Sequence, residues 1–202
     1  MDLKETYNKI AEDWHRDHQD DSWWMEGTDR FIELVGSGAS VLDAGCGGGT
    51  KSKYLLEKGL KVSGIDLSEK MIEIARREVS SGTFFVKDIL SEDIGETFDG
   101  IYSQAVFLHI PRSQIGLALG KLFAALKKEG YIYLSVKRKK EDDPDEEIRE
   151  EADYGYSYQR FFSYFTEQEL VDYVKRAGFK IVYTKIIPTG KSSWIQVIAQ
   201  KS

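Results

Sequence analysis

Apolar positions recur along this chain with two different periods. Tyr7, Ile10, Ala11 and Trp14 fall at i, i+3, i+4 and i+7, one face of a helix. That helix opens at Asp2, with Glu5 placed as a capping-box partner. A polar stretch, HRDHQDDS, separates it from Trp23, Trp24 and Met25. A second helix is predicted from about Thr28 to Val35, ended by Gly36 and Gly38. From Ser40 onward short apolar runs alternate with helical patterns. Strands are predicted at 41–44, 61–65, 84–86, 98–103 and 131–136. Between them lie a helix over 50–58 and another capped by Ser68, with Leu67 and Ile72 at the staple positions. A third, whose first turn holds Pro111, buries Ile115, Leu119, Leu122 and Leu126.

Near the end, Thr166 and Glu169 form a capping box for a helix that turns Leu170, Val171 and Val174 inward and stops at Gly178. Segments 179–187 and 194–199 then read as a hairpin around Pro188 and Gly190. The expected fold is α/β: a Rossmann-like, doubly wound, mainly parallel seven-stranded sheet with one antiparallel edge strand, helices on both faces and an N-terminal helical cap. The 202 residues make one domain, divided into a helical cap (1–38), a core (39–136), a charged and aromatic insertion (137–165) and a C-terminal helix with its β-hairpin (166–202).

Composition narrows the function classes. No apolar run approaches the roughly 20 residues needed to cross a bilayer, and the polar N-terminus lacks a signal-peptide core. A single cysteine, Cys46, agrees with a reducing compartment, so the chain is expected in the cytoplasm without a membrane partner. One cysteine and three histidines argue against a structural zinc site, and no metal is expected. The net charge of −6 weighs against a nucleic-acid partner. The basic run 137–140 is followed by eight acids between Glu141 and Glu151, and the pair reads as a solvated, mobile insertion.

Candidate chemistry collects at the carboxyl ends of the predicted strands, where open α/β sheets bind ligands. The first strand runs into VLDAGCGGGT, with four glycines in five residues after Asp43: Gly45, Gly47, Gly48 and Gly49, with Cys46 among them. A strand, a glycine-rich turn and a helix start make a nucleotide-type corner. The second strand ends at Asp66, about 20 residues on, where an acid reaches ribose hydroxyls. The third is followed by Lys87, Asp88 and Ile89, and the fourth ends in Ser103 and Gln104. The glycines read G-x-G-x-G, with Thr50 in place of the last fingerprint glycine of a dinucleotide site, and no Lys or Arg lies between Val41 and Thr50.

In these motifs the chain resembles class I S-adenosylmethionine-dependent methyltransferases, in the small-molecule-type branch with a helical N-terminal cap. The likeness covers nearly the whole chain: Tyr7-Asn-Lys-Ile-Ala11, VLDAGCGGGT, Gly64-Ile-Asp-Leu-Ser68, the Asp88 step, FDGIYSQAVFLHI, LKKEGYIYLSV and FFSYFTEQELVDYVKRAGF. Only the glycine motif is highly specific; the ordered set carries the assignment. The resemblance implies S-adenosyl-L-methionine as cofactor and S-adenosyl-L-homocysteine as product. It implies that Asp43, Gly45, Cys46, Gly47 and Gly49 hold the methionine portion and that Asp66 takes both ribose hydroxyls. Leu67 would lie against the adenine, Met71 would belong to the same cofactor site, Asp88 would accept the adenine amino group, and Ile89 would lie on the ring. Ser103 and Gln104 would stand near the methyl group, with Tyr7 and Trp14 closing over the cofactor or simply packing the cap.

A sulfonium is already a good methyl donor, so alignment and exclusion of water supply much of the catalysis. His109 is the candidate general base, with a helix-entry role before Pro111 as the alternative. His15 and His18 are placed near the mouth. Cys46, with no histidine near it in sequence, is not expected to be a nucleophile. Trp23, Trp24, Met25 and the aromatics Tyr154, Tyr156, Tyr158, Phe161, Phe162, Tyr164 and Phe165 either line an acceptor pocket or bury the insertion; Arg160 among them binds an acidic group or pairs locally. The expected reaction is methyl transfer to a small-molecule acceptor. The alternatives are a tRNA-modifying methyltransferase, which the cap and the Trp194 region resemble, and a non-catalytic S-adenosylmethionine-binding module. DNA amino-group methylation and nicotinamide chemistry are disfavoured by Ser103-Gln-Ala-Val106 and by the glycine spacing.

Overall fold

A computed structural model describes residues 2–19, 21–190 and 192–202. Seven strands form one sheet: β1 (Ser40–Ala44), β2 (Lys61–Asp66), β3 (Thr83–Val86), β4 (Phe98–Gln104), β5 (Leu126–Lys137), β8 (Phe179–Thr189) and β9 (Ser192–Lys201). Their spatial order is β3-β2-β1-β4-β5-β9-β8. The first five are parallel, and β9 runs antiparallel to both its neighbours. It folds back between β5 and β8, because the turn after Thr189 reverses the chain. The strand order reverses beside β1, so the connections after β1 and β4 leave toward opposite sides and frame the crevice in which such sheets bind ligands.

Alternation along the strands sorts the side chains to two faces. Leu42, Ile101, Ile132, Leu134 and Ile195 pack with Leu119 and Leu122 of α5 (Ile115–Ala125) and Leu170 and Val174 of α6 (Glu167–Arg176). Val41, Val62, Tyr102, Tyr133 and Ile198 face the other way, onto Phe31 of α2 (Met25–Val35) and Leu55 of α3 (Thr50–Glu57). Helix α4 (Glu69–Glu78) extends that layer, with Ile72 and Ala75 against Phe84 and Cys46. Helix α1 (Leu3–Asp17) lies outside it, seating Ala11 on Met71 and Ile74 of α4. The caps form where the sequence places them: Asp2 accepts from the Lys4 and Glu5 N–H groups, with no return bond from the Glu5 side chain among the described residues, Ser68 accepts from Met71, and Thr166 and Glu169 complete their reciprocal box.

Several boundaries differ from the sequence expectation. Helix α2 begins at Met25 rather than Thr28, since Trp24 is only 4% exposed and its carbonyl takes the Thr28 N–H in the first helical bond. Pro111 caps a 3₁₀ turn, Arg112–Gln114, instead of sitting inside α5, and Leu126 starts β5 rather than ending the helix. The larger correction concerns the charged insertion, expected to be solvated and mobile. It is a folded hairpin of β6 (Glu146–Glu151) and β7 (Tyr158–Ser163). Phe162, Phe165 and Ser163 are buried, and Ser163 donates to the Ile110 carbonyl at 2.7 Å. The acids of β6 are held by their own basic and phenolic neighbours: Glu151 by Arg160, and Glu147 by Arg149 and Tyr164. A sequence as polar as EEIREE forms a strand here because β7 supplies the apolar face. Among the described residues no helix is long and apolar enough to cross a membrane.

Candidate active site at the strand ends

A cavity of about 700 Å³ opens over the carboxyl ends of β1, β2, β4 and β5 and reaches under α1 and the β6–β7 hairpin. Its volume is within the range of small-molecule sites, with room for more than one ligand. Of the sequence candidates it brings together Tyr7, Trp14, Asp43, Gly45, Cys46, Gly47, Asp66, Leu67, Met71, Asp88, Ile89, Gln104 and His109. Gly49 and Ser103 are not on its wall. Gly49 is the left-handed residue (φ 86°) before α3 and faces Ala75 of α4 and Val79, the residue that caps it. Ser103 is fully buried and donates to the Ala44 carbonyl at 3.0 Å, tying β4 to β1.

The glycine loop works mainly through closeness. A Cβ on Gly45 (φ 86°) would lie 2.1 Å from Val106, and one on Gly48 would lie 2.3 Å from the His15 ring. Most of the loop's donors are already engaged: Gly45 and Cys46 donate to the Ile65 carbonyl, Gly47 to Asp66 Oδ2 at 3.0 Å, and Gly49 to Cys46. A loop so committed has few N–H groups left for a pyrophosphate. Cys46 lies against α4, and burial together with the nearby acids pushes its thiol well above the usual range, so it is not the nucleophile.

Two carboxylates, one buried (Asp43) and one half-buried (Asp66), stand beside this loop with no Lys or Arg nitrogen within ion-pair distance among the described residues. Asp43, 2% exposed, accepts from Ser52 of α3 at 2.6 Å, and burial raises its pKa to about 7. Asp66 is held at both oxygens by the Gly47 and Ser68 N–H groups, and burial raises its pKa as well. Unpaired acids of this kind favour a cationic ligand, whose charge would recover the cost of their desolvation. Asp88 accepts from the Leu90 N–H and the Ser91 hydroxyl, which fixes its carboxylate at the rim beside Ile89.

His109 is not placed as a free general base. Its Nδ1 is 2.7 Å from the Phe161 carbonyl, which can only accept, so that nitrogen carries the proton. Its Nε2 then accepts from the Tyr7 hydroxyl at 2.8 Å. Both nitrogens are occupied, and burial lowers the pKa to about 3. The imidazole instead fixes the Tyr7 phenol and ties α1 to the segment after β4 and to β7. Trp14 closes the same junction: Arg160 lies over its ring at 4.6 Å, and His18 stacks on it at 3.7 Å. Arg160 pairs with Glu151 at 2.5 and 2.6 Å, the local-carboxylate alternative.

Sequence reasoning missed Lys51 and Lys137, which both line the cavity. Lys51 follows the glycine loop by one residue and lies over Trp24; Lys137 faces the cavity only because β5 turns that side of the sheet inward. Trp23, Tyr154 and Phe162 are on the wall with Trp194, but Trp24, Met25, Tyr156, Tyr158, Phe161, Tyr164 and Phe165 are not. Most of the aromatic run therefore serves to bury and pair the hairpin.

Comparison with known proteins agrees with this geometry. The methyltransferase domain family model matches residues 16–184, most of the chain. A ubiquinone biosynthesis O-methyltransferase of Dechloromonas aromatica is 33% identical over 55% of this chain and 49% of the relative. Its counterpart in Bordetella avium is 36% identical over 52% and 46%. The chain thus spans about half the length of the curated relatives it matches. Among solved structures, the 1,6-didemethyltoxoflavin-N1-methyltransferase of Burkholderia thailandensis, with bound 1,6-didemethyltoxoflavin and S-adenosylhomocysteine, superposes with a TM-score of 0.80. It is 24% identical, over 99% of this chain and 87% of that one. The magnesium protoporphyrin IX methyltransferase of Synechocystis PCC 6803, with bound S-adenosylmethionine, gives a TM-score of 0.75 at 22% identity, over 99% and 95%. At these identities the two superpositions establish the fold.

Proposed function

The chain belongs to the methyltransferase domain family, and from that premise we propose that it uses S-adenosylmethionine to methylate a small organic acceptor. The observation that carries this reading is the pair Asp43, buried, and Asp66, half-buried, both without cationic partners beside a glycine loop whose donors are largely committed. A sulfonium and an ammonium fit such a site; a pyrophosphate does not. When bound, the cofactor supplies an electrophilic methyl group that needs no further activation.

In this reading Asp66 takes the ribose hydroxyls, and Asp88 with Ile89 and Leu67 receives the adenine. Asp43 and the loop from Gly45 to Gly47 hold the methionine portion, and Lys51, on the cavity wall just after the loop, pairs with its carboxylate. Met71 backs the loop, with its sulfur 4.0 Å from a Cβ built on Gly47. Tyr7 and Trp14, locked through His109 and Arg160, roof the cavity and exclude water. Gln104 accepts the Tyr102 hydroxyl at Oε1, which leaves its amide N–H₂ group to orient an acceptor heteroatom. The chain's contribution is alignment, with a nucleophile held in line with the methyl–sulfur bond. The free, buried Cys46 supports a reducing compartment, and we place the enzyme in the cytoplasm.

The test is an acceptor screen with methyl-labelled S-adenosylmethionine, scored by label in extracted small molecules and in tRNA. Label in a small-molecule product supports the reading. Label in tRNA moves the acceptor to nucleic acid, and cofactor binding without transfer to any acceptor class favours a non-catalytic module.

A further inference from the structure

The cofactor reading accounts for one end of the cavity; the other end contains a cation without a partner. Lys137, half-buried at the end of β5, has no carboxylate within 4.0 Å and no hydrogen-bond acceptor among the described residues. Acids are close, but each is taken: Glu151 by Arg160, and Glu147 by Arg149 and the Tyr164 hydroxyl. Three cations therefore face two carboxylates, and Lys137 is the surplus one. The Phe162 ring, 4.8 Å from Nζ, supports the ammonium from one side. Burial and the neighbouring Arg160 and Arg149 lower the pKa of this amine, as expected for a cation whose counter-charge has not yet arrived.

Its neighbours are aromatic. Lys137 pairs with Trp194 across the β5–β9 ladder, so the two side chains stand on the same face. Trp23 stacks on Trp194, with ring centroids 4.4 Å apart and planes at 22°. Trp23, Trp194 and Lys137 all face the cavity, and Gln104 of β4 lies on the same side. A planar wall beside an unmatched positive charge matches a planar ring that carries an anion. We infer that the acceptor is a small aromatic or heteroaromatic acid whose anionic group pairs with Lys137 while its ring lies along Trp23 and Trp194. The inference rests on the methyltransferase reading of the same cavity. The cofactor's own carboxylate is not this anion. It belongs beside the glycine loop and Lys51, whereas β5 lies two strands from β1, about 10 Å across the sheet.

The experiment uses the full-length protein saturated with S-adenosylhomocysteine and titrated with 2-naphthoate or neutral 2-naphthamide, followed by tryptophan fluorescence. The acid is expected to bind at least tenfold more tightly than the amide. Lys137→Met should abolish that preference, and Lys137→Arg should keep it. Both variants should retain the wild-type affinity for S-adenosylhomocysteine, which also shows that they are folded. Equal affinity for acid and amide, no binding of either probe, or a preference that survives Lys137→Met overturns the inference. A loss of S-adenosylhomocysteine affinity in Lys137→Met also overturns it and assigns the lysine to the cofactor. Failure of the wild type to bind S-adenosylhomocysteine at all sinks the methyltransferase reading instead.

Discussion

At the scale of single residues, the site is governed by which charges are left unmatched. Asp43 is buried and His109 half-buried, and their protons move in opposite senses. The Asp43 carboxyl is raised to about 7 in the folded chain from an ordinary value of 3.8, so the folded state holds a proton that the unfolded state loses first. Its contribution to stability is full below pH 4 and lost as pH rises through about 7. His109 is lowered from 6.5 to about 3, so its contribution is present above 6.5 and lost as pH falls toward 3. The two partly cancel in a melting curve but not in a binding experiment. A cationic ligand requires Asp43 ionised, so at pH 6, where the ligand's own amine stays protonated, binding S-adenosylmethionine should release close to one proton, and less as pH rises through about 7. Calorimetry in two buffers of different ionisation enthalpy measures this number. It should drop sharply in Asp43→Asn, and a wild-type value near zero at pH 6 would contradict the role given to Asp43.

Among the elements, the β6–β7 hairpin departs most from what its sequence shows. The order of strands and helices was legible, because apolar spacing at periods of two and 3.6 sets each element's buried face. So were the caps at Ser68 and Thr166, which are local bonds between near neighbours. The hairpin was not, since EEIREE has neither the alternation nor the β-branched content of a strand. It depends on partners distant in sequence: Arg112 binds both the Tyr164 carbonyl and Glu169, and Thr6 and Lys9 of α1 donate to the carbonyls of Gln159 and Ser157. A hairpin tied down in this way should resist exchange. In hydrogen–deuterium exchange, the amides of β7 should be protected to a degree comparable with β5, while the turn at 152–157 exchanges quickly. Uniform rapid exchange from 141 to 163 would restore the picture of a mobile insertion.

For the molecule as a whole, one cavity spans two chemical environments. Acids and glycines at β1 and β2 face tryptophans and a surplus lysine at β5 and β9, with α1 and the hairpin closing the space between them. The acidic end was readable from the sequence, because Asp43, Asp66 and Asp88 each sit at a fixed step after a recognisable strand. The other end was not. Lys137 was buried in a basic run, and its isolation becomes visible only once the hairpin has paired Glu151 with Arg160 and Glu147 with Arg149. The aromatic run left two alternatives open for the same reason: only the folded hairpin shows which rings face the cavity and which are packed beneath it.

The central claim is that the cofactor lies against Asp66 at the end of β2. Isothermal titration of S-adenosylhomocysteine into the wild type and Asp66→Ala tests it most directly, with Asp66→Asn and melting curves as controls for folding, since Asp66 also holds the Gly47 and Ser68 N–H groups. Losing charge-assisted bonds to two hydroxyls should weaken binding by about thirtyfold or more, on the order of 2 kcal/mol. Folded Asp66→Ala protein with wild-type affinity would contradict the account.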